Sequence, residues 1–429
     1  MNTNPLKSPD PEVTSSLTLQ TTISHPVLKM SAQEQACYVM LDIFPTHNLP
    51  TSRLPLNLCL VLDKSTSMQG VRLQHVKEAT RQIIDYLEPE DTFSLVVFSD
   101  RAEVLLPAQK NIDKARAKSV ASTIQPSGGT EMLQGLLAGI KEIQTHRTEN
   151  TVNHIILLTD GRTYGDEDDC RKQAEWAGLN QISLSTMGIG ADWNEDLLDD
   201  MANASGGVST YIDSPRKIVD TFKATIRELS TIVAREIILN INPTDGVNVH
   251  EAFQITPHIR RLEIAGNTSI LGPLGTSGRK TILLELRIKG LSERGERRLV
   301  RFAVEGDIRT QSSRQSWAWA EVKVEVSAGP DIEVSIPPII ITALGKLAIF
   351  KMQEKAMEDL ARGNIIAATQ RLETMATRLL NLGETELARA ALLEAGRLSR
   401  TGHLSAEGKK KIRYGTRSLS ILPKEIYND

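Results

Sequence analysis

Residues 63 to 68 read Asp63-Lys64-Ser65-Thr66-Ser67-Met68, directly after the apolar run Leu56 to Leu62. This is a D-x-S-x-S pattern at the end of a predicted buried strand. Two later segments carry matching chemistry, Ser127-Gly128-Gly129-Thr130 and Ile155-Ile156-Leu157-Leu158-Thr159-Asp160-Gly161. Asp63, Ser65, Ser67, Thr130 and Asp160 together offer two carboxylates and three hydroxyls, with no His or Cys. An all-oxygen set suits a hard cation, Mg²⁺, Mn²⁺ or Ca²⁺, rather than zinc. The plainer reading of Asp63, Ser65 and Ser67 is capping and turn formation, and of Thr130 the N-cap of a helix opening at Glu131.

The elements that must position these residues follow from the hydrophobic pattern. Leu56 to Asp63, Thr92 to Phe98, His154 to Asp160, Ile182 to Gly188 and Val208 to Ile212 read as strands, with a short strand at Ala102 to Leu106. Helical spacing marks Val71 to Leu87, Ile112 to Ile124, Leu133 to Ile143, Cys170 to Ala177, Glu195 to Ala204 and Ile218 to Val233. Such alternation predicts an α/β fold, a doubly wound, mostly parallel sheet covered by helices. In strand order 3-2-1-4-5-6, with the Ala102 strand as antiparallel edge, the first and fourth strands are neighbours. They end at Asp63 and Asp160, and ligands bind where strand order reverses. Thr130, on the loop before the next helix, falls on the same edge.

The flanks differ. Strands at 17 to 24 and 36 to 44, then at Glu236 to Ile241, Lys280 to Ile288, Leu299 to Val304 and Ala318 to Val326, predict an all-β sandwich. In this reading the two N-terminal strands complete the sandwich and the α/β domain is inserted into it. Beyond Pro337-Pro338 the chain reads as helices, Ile339 to Arg362, Ile365 to Leu382, Thr385 to Arg400 and Ser405 to Gly415, with Gly363 and Gly383 at helix ends. The expected division is a disordered tail at 1–14, a discontinuous sandwich at 15–54 plus 234–330, the α/β domain at 55–233, and a helical hairpin region with a basic tail at 331–429.

The bulk properties narrow the classes. A net charge of -3 in 429 residues gives no basic field for nucleic acid, and 4% aromatics gives no base-stacking surface. Three cysteines without C-x-x-C spacing fit a reducing compartment. The longest apolar stretch, Val334 to Phe350, contains Pro337, Pro338 and Lys346 and falls short of the roughly 20 residues that span a bilayer. The polar first residues lack a signal-peptide apolar region. The expectation is a soluble cytoplasmic protein with no membrane span.

Asp63-x-Ser65-x-Ser67, Thr130 and Asp160-Gly161 resemble the metal-ion-dependent adhesion site of the von Willebrand factor type A family. Residues from 55 to 233 resemble that domain throughout, including the Val96-Val97-Phe98-Ser99 strand end. The resemblance implies that the two serines and the threonine bind the cation and that the aspartates bind directly or through water. It further implies a non-enzymatic interaction module, a scaffold or regulator, whose metal captures an Asp or Glu of a protein partner. Lys64 departs from the small or uncharged residue often found there and is expected to weaken or gate metal affinity. The flanks resemble bacterial intracellular members, interaction modules beside ATPases, kinases or phosphopeptide-binding partners. The alternatives are a metal-assisted hydrolase or phosphatase, for which no general base or nucleophile–His pairing is evident, and a metal-free structural scaffold.

Other groups read more plainly. Asp166-Glu167-Asp168-Asp169 suits the acidic first turn of a helix better than a second cation site. Gly188-Ile189-Gly190 lacks the rest of a dinucleotide fingerprint, and the histidines never take zinc-ligand spacing. Lys409-Lys410-Lys411 to Arg417 reads as a solvated helix end. Thr416, three residues after Arg413, reads as an exposed phosphorylation site for a phosphothreonine-binding partner.

Overall fold

A computed structural model describes residues 16–46, 53–148, 150–308, 316–328 and 335–419. The expected tail at 1–14 lies outside the described residues. The first strands are β1 (Leu17–Ile23), β2 (Val27–Lys29) and β3 (Gln35–Pro45). An α/β unit follows, in the order β4 (Leu56–Asp63), α1 (Val71–Tyr86), β5 (Thr92–Phe98), β6 (Ala102–Lys110), α2 (Lys114–Ser122), α3 (Met132–Thr145), β7 (Val152–Thr159), α4 (Glu167–Leu179), β8 (Ile182–Ile189), α5 (Glu195–Ala204), β9 (Ser209–Ile212) and α6 (Ile218–Ser230).

Its sheet runs β6-β5-β4-β7-β8-β9, with only β6 antiparallel, as the alternation predicts. β4 and β7 are buried at every position because helices cover both faces. One face packs on Leu73 and Val76 of α1 and Phe222 of α6, the other on Leu136 of α3, Ala174 of α4 and Leu198 of α5. The edge strand β6 runs on through Pro107, past its expected end at Leu106. An edge strand tolerates a residue that cannot donate to the ladder.

The chain then forms β10 (Ile232–Pro243), β11 (Val247–Thr256), β12 (Arg260–Arg261), β13 (Thr268–Gly275), β14 (Lys280–Ile288), β15 (Gly295–Ile308) and β16 (Ser316–Ser327). With β1 to β3 they build two sheets, β1-β3-β14-β11-β12 and β13-β10-β15-β16-β2. β3 pairs with β14 from Gln35 opposite Ile288 to Ile43 opposite Lys280. Val39, Leu41 and Ile43 face the second sheet's Leu239, Phe302 and Val304, while Met40 points to the opposite face. Sequence patterning missed β2, β11, β12 and β13. A register shift between Val249 and Glu251 breaks the alternation of β11, and Gly272-Pro273 makes the edge strand β13 resemble a loop.

Four helices follow among the described residues: α7 (Pro338–Ala361), α8 (Ile365–Asn381), α9 (Thr385–Thr401) and α10 (Ala406–Arg417). Gly363 and Gly383 follow α7 and α8 at φ 77° and 79°, the left-handed helix stop that glycine adopts without strain. Leu347 and Phe350 of α7 pack on Met40, Phe253 and Leu283, the outer face of the first sandwich sheet.

α10 overturns two expectations. It returns to the α/β unit and lies on α5 and β9 instead of ending in solvent. Lys410 is buried, its Nζ donating to Ala191 O at 2.8 Å, Trp193 O at 2.9 Å and Glu195 Oε2 at 2.9 Å. Tyr414 donates its hydroxyl hydrogen to Asp199 Oδ1 at 2.7 Å and packs against Trp193 and Tyr211. Arg413 pairs with Asp196 and Asp199, and Arg417 with Asp199. Thr416 is fully buried, its hydroxyl donating to Arg413 O at 3.0 Å. A phosphoryl group has no room there, so the proposed phosphothreonine docking site is withdrawn. A charge count along the chain could not foresee that α5 supplies the counter-charges.

Candidate metal site

β4 and β7 deliver Asp63 and Asp160 to adjacent positions at the carboxyl edge, where neighbouring connections leave the sheet in opposite directions. Asp63 is fully buried. Its Oδ1 accepts the Ser65 N–H at 2.7 Å, which bends the chain back after the strand, and its Oδ2 accepts the Thr159 hydroxyl at 2.7 Å. The bend brings Ser65 Oγ within 3.0 Å of Ser67 Oγ, and Ser67 donates to Asp160 Oδ1 at 2.6 Å.

Thr130 arrives through backbone stitching. Ser127 N donates to Lys64 O at 2.7 Å, Thr66 N to Gly128 O at 3.1 Å, and Glu131 N to Ser99 O at 2.7 Å. Asp100 holds the same loop by accepting the Gly129 N–H at 2.7 Å, which puts this turn residue at the rim of the site. Gly161 lets the threonine approach, since a Cβ there would stand 3.0 Å from Thr130 Oγ1.

The N-cap reading of Thr130 does not hold. α3 opens one residue later, at Met132, and its free amides go to Thr163 Oγ1 (3.3 Å) and Asp166 Oδ2 (3.1 Å). Asp166 thus serves α3 while Glu167, Asp168 and Asp169 form the acidic first turn of α4. Among the described residues no three His, Cys, Asp or Glu side chains gather into a second cation site.

The electrostatics are uneven. Burial raises the Asp63 carboxyl from its ordinary 3.8 to about 6, and the charge of Asp160 adds to this against the lowering hydrogen bonds of Ser65 and Thr159. No described cation pairs with Asp63. Asp160 has one, Arg72 of α1, whose Nη1 lies 2.5 Å from Oδ2 and 3.4 Å from Ser67 O. Sequence reading missed Arg72. The only available signal was its place in the first turn after the D-x-S-x-S loop. Lys64, the residue expected to disturb the site, instead pairs with Glu103 of β6 at 3.1 Å.

Two buried carboxylates with three hydroxyls therefore meet at one edge, short of positive charge. The donor set fits a hard divalent cation, which would supply the missing charge. Gly188 and Gly190 have a structural explanation. Trp193 lies where a Gly188 side chain would be, and its Nε1 donates to Gly190 O at 2.8 Å. His154 is a neutral core residue, its pKa lowered by burial to about 3, with Nε2 2.9 Å from Ser185 Oγ.

The family model for the von Willebrand factor type A domain matches residues 57–224, and that for the Sll0103-like C-terminal alpha-helical domain matches 338–421. Protein sll0103 of Synechocystis is 30% identical over 374 residues, covering 84% of this chain and 87% of that protein. The chain belongs to the von Willebrand factor type A family. Inter-alpha-trypsin inhibitor heavy chain H4 of Bos taurus is 34% identical over 202 residues, 43% of this chain but only 22% of its own length. The fold of a von Willebrand factor type A protein from Catenulispora acidiphila matches with a TM-score of 0.76 at 16% identity, over 95% of this chain and 98% of that one. The ArnB paralog VWA2 of Sulfolobus acidocaldarius gives 0.60 at 14%, over 94% and 99%. The type A domain makes this protein, in general terms, a protein-interaction module. No described helix is long and apolar enough to cross a membrane.

Proposed function

We propose that this protein is a non-enzymatic, metal-dependent interaction module, in which Ser65, Ser67 and Thr130, with Asp63 and Asp160, hold a Mg²⁺ or Mn²⁺ (Ca²⁺ has the same oxygen preference). The observation that carries it is the union of Ser65, Ser67 and Asp160 by contacts of 2.6 to 3.0 Å, beside a buried Asp63 with no cationic partner among the described residues. When bound, the ion offers a position to an acidic side chain of a partner protein. The chain's own residues prepare it. Asp63 fixes the Ser65 amide, Thr159 fixes Asp63, and Asp100 holds the loop that carries Thr130. Neutral hydroxyls among the donors leave a bound ion electron-poor, which favours capture of a partner carboxylate.

The same reading keeps the division at 15–54 plus 234–330, 55–233 and 331–429. Three buried free cysteines support a cytoplasmic setting. The test is calorimetric titration of metal-stripped protein with Mg²⁺ and Mn²⁺, beside Asp63→Ala. Saturable binding confined to the wild type is expected. Absence of binding in both would remove the metal from the function.

A further inference from the structure

The connection from β8 to α5, residues 190–194, leaves the sheet at the same carboxyl edge as Asp63 and Asp160. Two side chains from distant elements meet on it. The first is Arg72 of α1, whose guanidinium rests on Gly190. A Cβ at Gly190 would stand 3.2 Å from Arg72 Nη2 and 3.8 Å from its Cζ. Gly190 also has φ 71°, the left-handed conformation, so its backbone and the space beside it both call for glycine. From this seat Arg72 Nη1 lies 2.5 Å from Asp160 Oδ2 and donates to Ser67 O at 3.4 Å.

The second is Lys410 of α10, which takes the residues that follow. Its Nζ donates to Ala191 O at 2.8 Å and to Trp193 O at 2.9 Å, and lies 4.7 Å from the centre of the Trp193 ring. Trp193 Nε1 in turn donates to Gly190 O at 2.8 Å, and Gly190 N donates to Ile212 O of β9 at 3.1 Å. An unbroken run of contacts therefore leads from α10 through this connection to Arg72 and Asp160. An ion pair made by a long, partly exposed side chain costs conformational entropy unless packing fixes its geometry beforehand. Here the fixing surface is Gly190, and Lys410 holds the backbone that carries it.

We propose that Lys410 is a positioning residue for the carboxyl edge of the type A domain. By holding residues 190–194 it keeps the seat from which Arg72 pairs with Asp160. This role rests on the cation site proposed above, and it keeps in place the charge that an incoming divalent ion must displace. The effect is reciprocal. Docking of α10 lowers affinity for the ion, and a bound ion weakens the docking of α10 by the same factor. Because α10 falls within the segment 338–421 of the C-terminal helical domain, that domain tunes the type A domain from within the same chain.

The test is a double-substitution cycle on the full chain, with Mn²⁺ titrated by calorimetry into wild type, Lys410→Met, Arg72→Gln and the doubly substituted protein. Lys410→Met is expected to tighten Mn²⁺ binding about threefold when Arg72 is present and to change nothing once it is Gln. Unchanged affinity in Lys410→Met overturns the proposal. So does an equal change in both backgrounds, which a general loosening of the domain would produce. Gly190→Ala, which crowds Arg72 while leaving α10 docked, is expected to tighten Mn²⁺ as well. Should Lys410→Met not fold, Lys410→Gln, which keeps an amide donor for one carbonyl, carries the comparison. Absence of Mn²⁺ binding in every chain removes the cation site itself, and urea unfolding of the same four chains in chelator separates that failure from this one. If Lys410 positions Arg72, the midpoint shift of the doubly substituted protein is smaller than the sum of the single shifts, and additive shifts overturn the role.

Discussion

Two acidic clusters lie on the α/β unit, and the chain treats them differently. On α5, Glu195, Asp196 and Asp199 are each met by cations of α10, at 2.9 Å from Lys410, 2.6 Å from Lys409, 2.5 Å from Arg413 and 2.7 Å from Arg417. At the ends of β4 and β7, Asp63 has hydroxyl and amide donors but, among the described residues, no cation, and Asp160 has Arg72 alone. The titrations diverge accordingly. Burial alone would raise Glu195, but Lys409 and Lys410 bring it down to about 2, whereas burial takes Asp63 up to about 6. A buried acid neutralised from within serves the architecture. One left short of positive charge is available to a ligand.

The contrast breaks most visibly at Lys410. Lys410→Met leaves Glu195 with Lys409 alone and strands the buried Trp193 carbonyl and the half-buried Ala191 carbonyl, and it is expected to cost about 3 kcal/mol of unfolding free energy in urea titrations. A loss under about 1 kcal/mol would mean that the aromatic packing of Trp193 and Tyr414 holds α10 in place. Asp63→Asn is expected to do the reverse. Divalent-ion affinity falls about a hundredfold by calorimetry, while metal-free stability at pH 7 stays within about 1 kcal/mol of wild type or rises. If it destabilises as much as Lys410→Met, both clusters are structural.

Acidity sharpens the comparison, because the two signs are opposite. Asp63 is raised on folding, so its contribution in metal-free protein is fully present below 3.8 and is lost as pH rises through about 6. Glu195 is lowered, so its contribution is present above 4.5 and is lost as pH falls toward 2. Unfolding free energies measured from pH 3 to 8 in chelator are expected to lose the first slope in Asp63→Asn and the second in Glu195→Gln. Divalent-ion affinity is expected to fall below pH 6, where Asp63 holds its proton.

Smaller effects belong to the two cations beside the D-x-S-x-S loop. Arg72→Gln removes the charge competing for Asp160 and is expected to tighten Mn²⁺ binding about fivefold. Unchanged affinity would show that Arg72 moves aside at no cost. Lys64→Ala loses only a partly exposed pair with Glu103, so a stability change within about 0.5 kcal/mol and unchanged Mn²⁺ affinity are expected.

The α/β half was legible because a sheet covered on both faces needs strands as uniformly apolar as Leu56 to Leu62, and its helices repeat at their own period. The sandwich was legible only in part, since bulges in β11 and Gly272-Pro273 in β13 interrupt a period of two. The hydroxyls and carboxylates of the carboxyl edge could be named from residue type, but the side chains that hold them in place could not. Thr159 and Arg72 have ordinary types in ordinary places and gain their roles from neighbours 96 and 88 residues away.

By itself the sequence determined the strand order of the α/β unit and the common edge to which Asp63, Ser65, Ser67, Thr130 and Asp160 belong. Those follow from local periodicity and from the chemistry a residue keeps wherever it stands. Tertiary structure alone decided which charges are spent. The basic run of α10 turned from a solvated end into a buried clamp, and Thr416 from an exposed hydroxyl into a core one. A charge's environment depends on what packs over it, and that information lies in distant parts of the chain.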